Sequence, residues 1–297
     1  MSTIDLVPAR SPRSPRFLRL PRAGSAWRQP LAVAGVVIIA LWFLVAIFAP
    51  LLEPSDPLAQ SPSLLAAPSS AHWLGTDALG RDVLSRVIAG SRVSIPSALL
   101  LVICSLVIGA VIGAVAGYLG GWVDEVLMRF TDMVLAFPTI ILAMVVAAAL
   151  GPSIRNAIIA IVVVNWPSYA RITRSLVLGL KTREFVVAGR LLGNGPFTSL
   201  RRDILPNIAA PVLVLATLDF GNAILALSGL SFLGLGSVPP AAEWGSMVSD
   251  GMQAFDSWWI GTSAGVAIFT IVLAFNFVGD ALRDTLDPQA RRLVKER

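Results

Sequence analysis

Six stretches of mostly apolar residues recur along this 297-residue chain, at 31–52, 94–117, 126–150, 156–178, 207–233 and 259–281. A helix needs about 20 such residues to cross the hydrocarbon core of a bilayer. Backbone groups in lipid find no water to bond, so a helix is the form each stretch must take. Composition points the same way: 56% of the residues are hydrophobic and 14% are charged, where a soluble domain carries roughly 25% charged residues. A soluble fold of this length could not hide so much apolar surface. The chain therefore reads as an all-α membrane protein with six transmembrane helices.

Charge is distributed unevenly between the stretches. Arg10, Arg13, Arg16, Arg19, Arg22 and Arg28, against the single acid Asp5, precede the first one. Loop 179–206 carries Lys181, Arg183, Arg190, Arg201 and Arg202, and residues 282–297 carry Arg283, Arg291, Arg292, Lys295 and Arg297. Segment 234–258 has no basic residue but three acids, Glu243, Asp250 and Asp256. Six crossings put the three basic segments on one side, and the positive-inside rule makes that side cytoplasmic, with both termini there. The expected organisation is a basic tail (1–30), a first helix (31–52), an external segment (53–93), a five-helix core (94–281) containing loop 179–206, and a cytoplasmic tail (282–297). A basic tail can bind nucleic acid, but this one runs directly into an apolar stretch, so it reads as a cytoplasmic anchor beside membrane lipids, with no nucleic-acid partner. The first stretch is longer than the ~7–15-residue core of a cleaved signal peptide, so it reads as a retained helix.

The chemistry-bearing residues are few. Cys104 is alone, which excludes an intrachain disulfide and a cysteine-based metal site. His72 is the one histidine and lies in the external segment, away from any span where a Ser–His pair or a haem would need it. No catalytic residue and no metal site is expected. Gly109, Gly113 and Gly117 recur every four residues, a small-residue face for close helix packing. Pro138 and Pro167 should bend the third and fourth stretches. Polar residues inside spans are costly, and Asp132, Asn165, Asp219, Asn222 and Asn276 are the candidates. Asp219, at mid-depth of the fifth stretch, either faces a water-filled pathway or bonds a neighbouring helix. Asp219 and Asn222 are the candidate pathway residues.

Loop 179–206 is the most informative segment. Arg183 to Leu192 fits a short helix, which Gly193-Asn194-Gly195-Pro196 would end, and a second short helix is expected over 197–204. Then comes Leu205-Pro206. This loop resembles the EAA loop of ABC-importer permeases. Val187-Ala188-Gly189 occupies the three-residue core, Gly193 is the loop glycine, and Leu205-Pro206 follow at the matching spacing. The motif glutamate is Val187 here and its second alanine is Gly189, while Glu184 is an acid three residues upstream. The resemblance continues in His72-Trp73-Leu74-Gly75-Thr76-Asp77, Gly80-Arg81-Asp82 and Leu84-Ser85-Arg86. It runs on through Gly117-Tyr118-Leu119-Gly120-Gly121-Trp122-Val123-Asp124, Ala136-Phe137-Pro138 and Leu230-Ser231-Phe232-Leu233-Gly234-Leu235-Gly236. It ends in Asn276, Gly279-Asp280, Leu282-Arg283-Asp284 and Leu286-Asp287-Pro288. In order and spacing these are similar to dipeptide and oligopeptide permeases of the "C" type, with nickel permeases sharing much of the pattern. Leu227 departs from it, at a position where related chains often carry glutamate.

The resemblance implies a type I ABC-importer permease fold in a bacterial inner membrane. It implies a homologous permease partner, most simply in a heterodimer, two cytoplasmic ABC ATPases, and an extracytoplasmic binding protein. Glu184, Val187, Ala188, Gly189, Gly193, Leu205 and Pro206 would form the ATPase-coupling loop. Because the chain has no G-x-x-x-x-G-K-[ST] phosphate loop, ATP and Mg would be bound by the partner ATPases, with no cofactor in this chain. Gly234 and Gly236, near Pro239-Pro240, are candidates for an outer gate. Dipeptides or oligopeptides are the expected cargo, with nickel or another metal chelate as the alternative. A different class, the ion-gradient-driven secondary transporter, would use Asp219 and Asp132 as cation sites but leaves the docking loop without a purpose.

Overall fold

The structure, a computed structural model, describes residue 27 and residues 29–286. The tail residues Asp5, Arg10, Arg13, Arg16, Arg19, Arg22 and Arg28, and Asp287, Pro288, Arg291, Arg292, Lys295 and Arg297 at the other end, lie outside the described residues. Among the described residues there is no strand, and every regular element is helical.

Pro30 opens α1 (Pro30–Leu52), a position where its missing N–H is no loss. Only Ala32, Gly35 and Ala49 of this helix are buried, while Leu41 and Ile47 are among the apolar side chains left exposed. A helix apolar on every side suits lipid better than water. Gly35 makes its seam with α10 (Trp259–Leu286), since a Cβ there would lie 2.8 Å from the Ala274 carbonyl oxygen.

The centre of the bundle is α2 (Val83–Leu119) against α5 (Ile154–Leu180). The glycines spaced by four on α2 meet the backbone of α5. A Cβ on Gly109, Gly113 or Gly117 would lie 2.4, 2.2 or 2.9 Å from the carbonyl oxygens of Trp166, Ala170 and Arg174. Small residues here let two backbones touch. Pro167 sits inside α5, and the helix runs on past it to Leu180.

The stretch 126–150 is broken rather than gently bent. It divides into α3 (Gly121–Leu135) and α4 (Thr139–Leu150), which meet at 88°. Pro138 stands at the break, where it removes a donor and turns Phe137 away from helical geometry. Asp124 and Asp132 of α3 pair with Arg174 and Arg171 of α5 at 2.6 Å, so α3 is tied along the end of α5 by charge. Among the described residues, four helices suit a crossing by length and composition: α1, α2, α10 and the run Pro196–Phe232. The bent pair would make a fifth. At 27 residues, α5 is about 40 Å long at 1.5 Å per residue, but Asn165, Arg171 and Arg174 dilute its apolar character.

Two further differences concern the end of the bundle that carries residues 53–82. α2 begins at Val83 rather than near 94, because Asp82 caps it by accepting from the Ser85 N–H at 2.8 Å. Segment 234–258 holds a helix the sequence did not announce, α9 (Trp244–Gln253), capped by Glu243 through the N–H groups of Gly245 and Ser246. Segment 53–82 has no helix but is pinned to the bundle. Thr76 accepts from the Ala66 N–H at 2.8 Å, and the Trp259 indole donates to the Thr76 carbonyl at 3.1 Å. Asp77, 2% exposed, accepts from the Leu79 and Arg81 N–H groups on Oδ1, both at 2.9 Å. Its Oδ2 meets the Nε of Arg81 at 2.7 Å and of Arg86 at 3.4 Å. His72 Nδ1 lies 3.0 Å from Asp82.

Candidate functional site

A cavity of about 370 Å³ opens between α4, α5 and α8 (Leu205–Phe232). α8 supplies most of its wall through Asp219, Asn222, Ala226 and Gly229, which recur at intervals of three and four and so share one face of the helix, and Leu233 at its C-cap continues the wall. A Cβ on Gly229 would meet nothing within 4 Å, in keeping with its place on an open wall. The break at Pro138 brings the first residues of α4, Thr139 and Ile140, to the opposite side. Asn165 and apolar Ile161 and Val164 come from α5.

Asp219 is the one charged residue of this wall. It lies near the middle of α8, and its Oδ2 accepts from the Tyr169 hydroxyl at 2.7 Å and from Asn165 Nδ2 at 2.9 Å. Both donors come from the middle of α5. Among the described residues nothing bonds Oδ1, and no cation pairs with this carboxylate. The bond to a neighbouring helix is thus made through one oxygen, and the residue also lines the cavity. Asn222, three residues on, is exposed on the same face. The other polar candidates separate from this site. Asn276 donates to the Val272 carbonyl of its own helix, and Asp132 is held by Arg171. Tyr169, 1% exposed, was not singled out in the sequence, because a lone aromatic in an apolar stretch carries no signal of what its hydroxyl touches.

Loop 179–206 forms α6 (Glu184–Leu191), then α7 (Pro196–Thr198) and a π-helical turn (Ser199–Ile204) that runs into α8. Gly193, at φ +93°, ends α6. Its N–H bonds the Arg190 carbonyl, and the Asn194 N–H bonds the Gly189 carbonyl, both at 3.0 Å. This is a Schellman cap, which favours glycine at the left-handed position. Gly189 is close-packed as well, since a Cβ would lie 2.9 Å from Asn194 Nδ2 and 3.1 Å from Asp203 Oδ2. Val186 anchors α6 in a small core with Ala114, Val177, Ile204 and Ile208. The rest of its apolar residues face out: Phe185, Val187, Leu191, Leu192 and, after the turn, Phe197, with Leu191 and Leu192 84% and 87% exposed. Glu184, Ala188, Leu205 and Pro206 are exposed too, and Glu184 makes no ion pair among the described residues. Such a patch marks an interaction surface.

At the other end of α8 a second Schellman cap sits beside the cavity. Gly234, at φ +77°, bonds the Ser231 carbonyl, and the Leu235 N–H bonds the Leu230 carbonyl. Gly236 has no room for a Cβ, which would lie 2.0 Å from Ser231 Oγ. Leu227 is buried in the main core, 2% exposed.

Comparison with known proteins gives a consistent result. Residues 109–292 match the family described as binding-protein-dependent transport system inner membrane component, and residues 26–68 match the N-terminal transmembrane domain of oligopeptide transport permease C. The chain is 43% identical over 279 residues to the dipeptide transport system permease protein of Alkalihalophilus pseudofirmus, covering 91% of this chain and 92% of the relative. It is 45% identical over 273 residues to the dipeptide transport system permease protein of Escherichia coli K12, covering 89% and 91%. It is also 45% identical over 270 residues to the nickel transport system permease protein of the same organism, covering 89% and 95%.

Proposed function

Since the chain belongs to the inner-membrane components of binding-protein-dependent transport systems, the permease subunits of ABC importers, we propose that it forms half of a pathway importing dipeptides and other short peptides. It is a multi-pass protein of the bacterial inner membrane, a transport subunit rather than an enzyme. The remaining parts follow from this membership: a homologous permease beside it, two ATPases that bind ATP and Mg beneath, and a binding protein outside that delivers cargo. Six spans with both termini in the cytoplasm fit the charge of the loops, with α5 and the bent α3–α4 pair as the two crossings that composition alone does not mark.

The observation that carries the reading is the apolar face of α6 and the turn after it. Leu191, Leu192 and Phe197 stand exposed among Arg183, Arg190, Arg201 and Arg202, an arrangement suited to a protein groove. Val187 in place of the motif glutamate leaves this docking to apolar contact. ATP-driven closure of the ATPases would move α6 and, through the continuous helical run Pro196–Phe232, tilt the face of α8 that lines the cavity. The bundle then passes between inward-open and outward-open packings, two states separated by different contacts. The turn at Gly234 and Gly236 is the proposed outer gate, because it ends α8 where Leu233 reaches the cavity.

Peptide rather than bare metal cargo is supported by the wall itself. It is mostly apolar, and no group of three His, Cys, Asp or Glu side chains suited to a metal exists among the described residues. The test is co-purification from the native membrane followed by ATP hydrolysis. A homologous permease and ATPases should come with the chain, with peptide-stimulated turnover. A Leu191→Glu/Leu192→Glu variant should lose the ATPases and most of the turnover, yet shift stability by no more than about 0.5 kcal/mol, as surface changes do. A chain recovered alone, or a double variant that couples normally, removes the docking role of α6.

A further inference from the structure

Asp219 is held in a way that leaves it unfinished. A carboxylate at mid-depth of a membrane helix is expensive unless it is paired. Here the two neutral donors, Tyr169 and Asn165, both bond Oδ2. That fixes the carboxylate's orientation but brings no opposite charge. Among the described residues no Lys or Arg pairs with it. The nearby cations of α5 are already engaged, Arg171 by Asp132 and Arg174 by Asp124. Among the described residues the second oxygen, Oδ1, has no partner, and Asp219 lines the cavity with Asn222 and Thr139.

We infer that Asp219 is the counter-ion for the free amino group of the passing substrate, with Tyr169 and Asn165 as positioning residues that aim it. The inference rests on the reading of this cavity as part of the pathway. An ammonium has three donors and no acceptor. Asp219, Asn222 and Thr139 line the same cavity, and among their side chains are a carboxylate oxygen with no partner among the described residues, an amide carbonyl and a hydroxyl, all able to accept. A charge-assisted bond to the carboxylate is the strong member of such a set. The apolar remainder, with Ile140, Ile161 and Leu225, accommodates side chains of varied size without selecting among them. A single carboxylate recognises a charge common to all unblocked peptides, which suits a pathway shared by many sequences.

The test uses the assembled transporter in vesicles, with this chain carrying Asn222→Cys on a Cys104→Ser background. Two methanethiosulfonate reagents of similar size, one bearing a quaternary ammonium and one a sulfonate, are compared after normalising each rate to its rate with a free thiol. The inference predicts that the cationic reagent modifies position 222 at least tenfold faster, that a free-amine dipeptide slows it, and that adding Asp219→Asn brings the ratio near one. Equal normalised rates while Asp219 is present would overturn the ammonium role and leave the pathway reading standing. No modification by either reagent would instead overturn the pathway reading. Dipeptide uptake gives the second measurement: Asp219→Asn should slow it at least tenfold while Asp219→Glu retains most of it. Normal uptake by Asp219→Asn also overturns the inference.

Discussion

Asp77 and Asp219 are both carboxylates withdrawn from bulk solvent, and the protein treats them in opposite ways. Asp77 has three donors on its two oxygens and a further ion pair to Arg86, and the Arg81 and Arg86 guanidinium groups are themselves 6% and 2% exposed. Nothing is left over for a ligand. Asp219 has two donors on one oxygen, no partner among the described residues on the other and no cation among them, and the residue lines a cavity. A closed network of charges fixes the arrangement of segment 53–82 on the helices. An open one is a place where something else must arrive.

The largest effect should come from breaking the closed network. Asp77→Ala takes from the buried Arg81 and Arg86 guanidiniums the carboxylate that pairs with both, leaving only the weaker field of Asp250, and loss of one partner of a buried pair costs about 3–5 kcal/mol. Thermal unfolding of the purified complex should show a large fall in midpoint. Asp219→Asn should move the same midpoint only slightly, because it can still accept neutral hydrogen bonds worth about 1 kcal/mol each, while transport falls. Comparable destabilisation by both variants would erase the distinction between them.

A smaller effect is expected at the α2–α5 contact that holds Tyr169 and Asn165 in place. Gly113→Leu puts side-chain atoms where a Cβ alone would lie 2.2 Å from the Ala170 carbonyl, and overpacking of this kind costs about 1–3 kcal/mol. It should also lower uptake, since α5 carries both residues that aim Asp219. Retained stability and uptake would mean that the helices separate without consequence for the cavity.

The smallest effect sharpens the contrast with a third carboxylate. Glu243 is 1% exposed, and burial raises its pKa above the ordinary 4.5, although the N–H groups of Gly245 and Ser246 pull it back. A raised folded-state value means that the folded protein holds this proton more tightly than the unfolded chain does. Its contribution therefore favours folding in acid and is lost as pH climbs from 4.5 through the raised value. Relative to Glu243→Gln, the wild-type protein should become progressively less stable over that interval. A pH-independent difference between the two would remove the burial argument.

Much of this was legible in the sequence because membranes impose strong patterns. The apolar stretches located α1, α2, α8 and α10, and the glycines at 109, 113 and 117 marked a packing face. The turn residues after Leu192 announced the cap at Gly193. The order and spacing of short motifs carried the family. What escaped is what depends on distance along the chain. The break at Pro138 looked like a bend, since hydropathy does not distinguish one helix from two at 88°. Helix α9 is too short and polar to stand out, and it is held by Trp244, whose indole reaches the Val87 carbonyl at 2.9 Å. Asp219 and Asn222 could be named from the cost of polar groups in a span. That Tyr169 and Asn165, 50 and 54 positions away, would bond one oxygen of Asp219 has no local signature.

The most direct test of the account is uptake of a labelled dipeptide into vesicles holding the complete complex, with the binding protein and ATP supplied on their proper sides. The account predicts accumulation that requires ATP hydrolysis, survives collapse of ion gradients, and is outcompeted by unlabelled dipeptides but not by nickel salts. Accumulation driven by an ion gradient without ATP, or ATP-dependent uptake of nickel with none of the dipeptide, would contradict it.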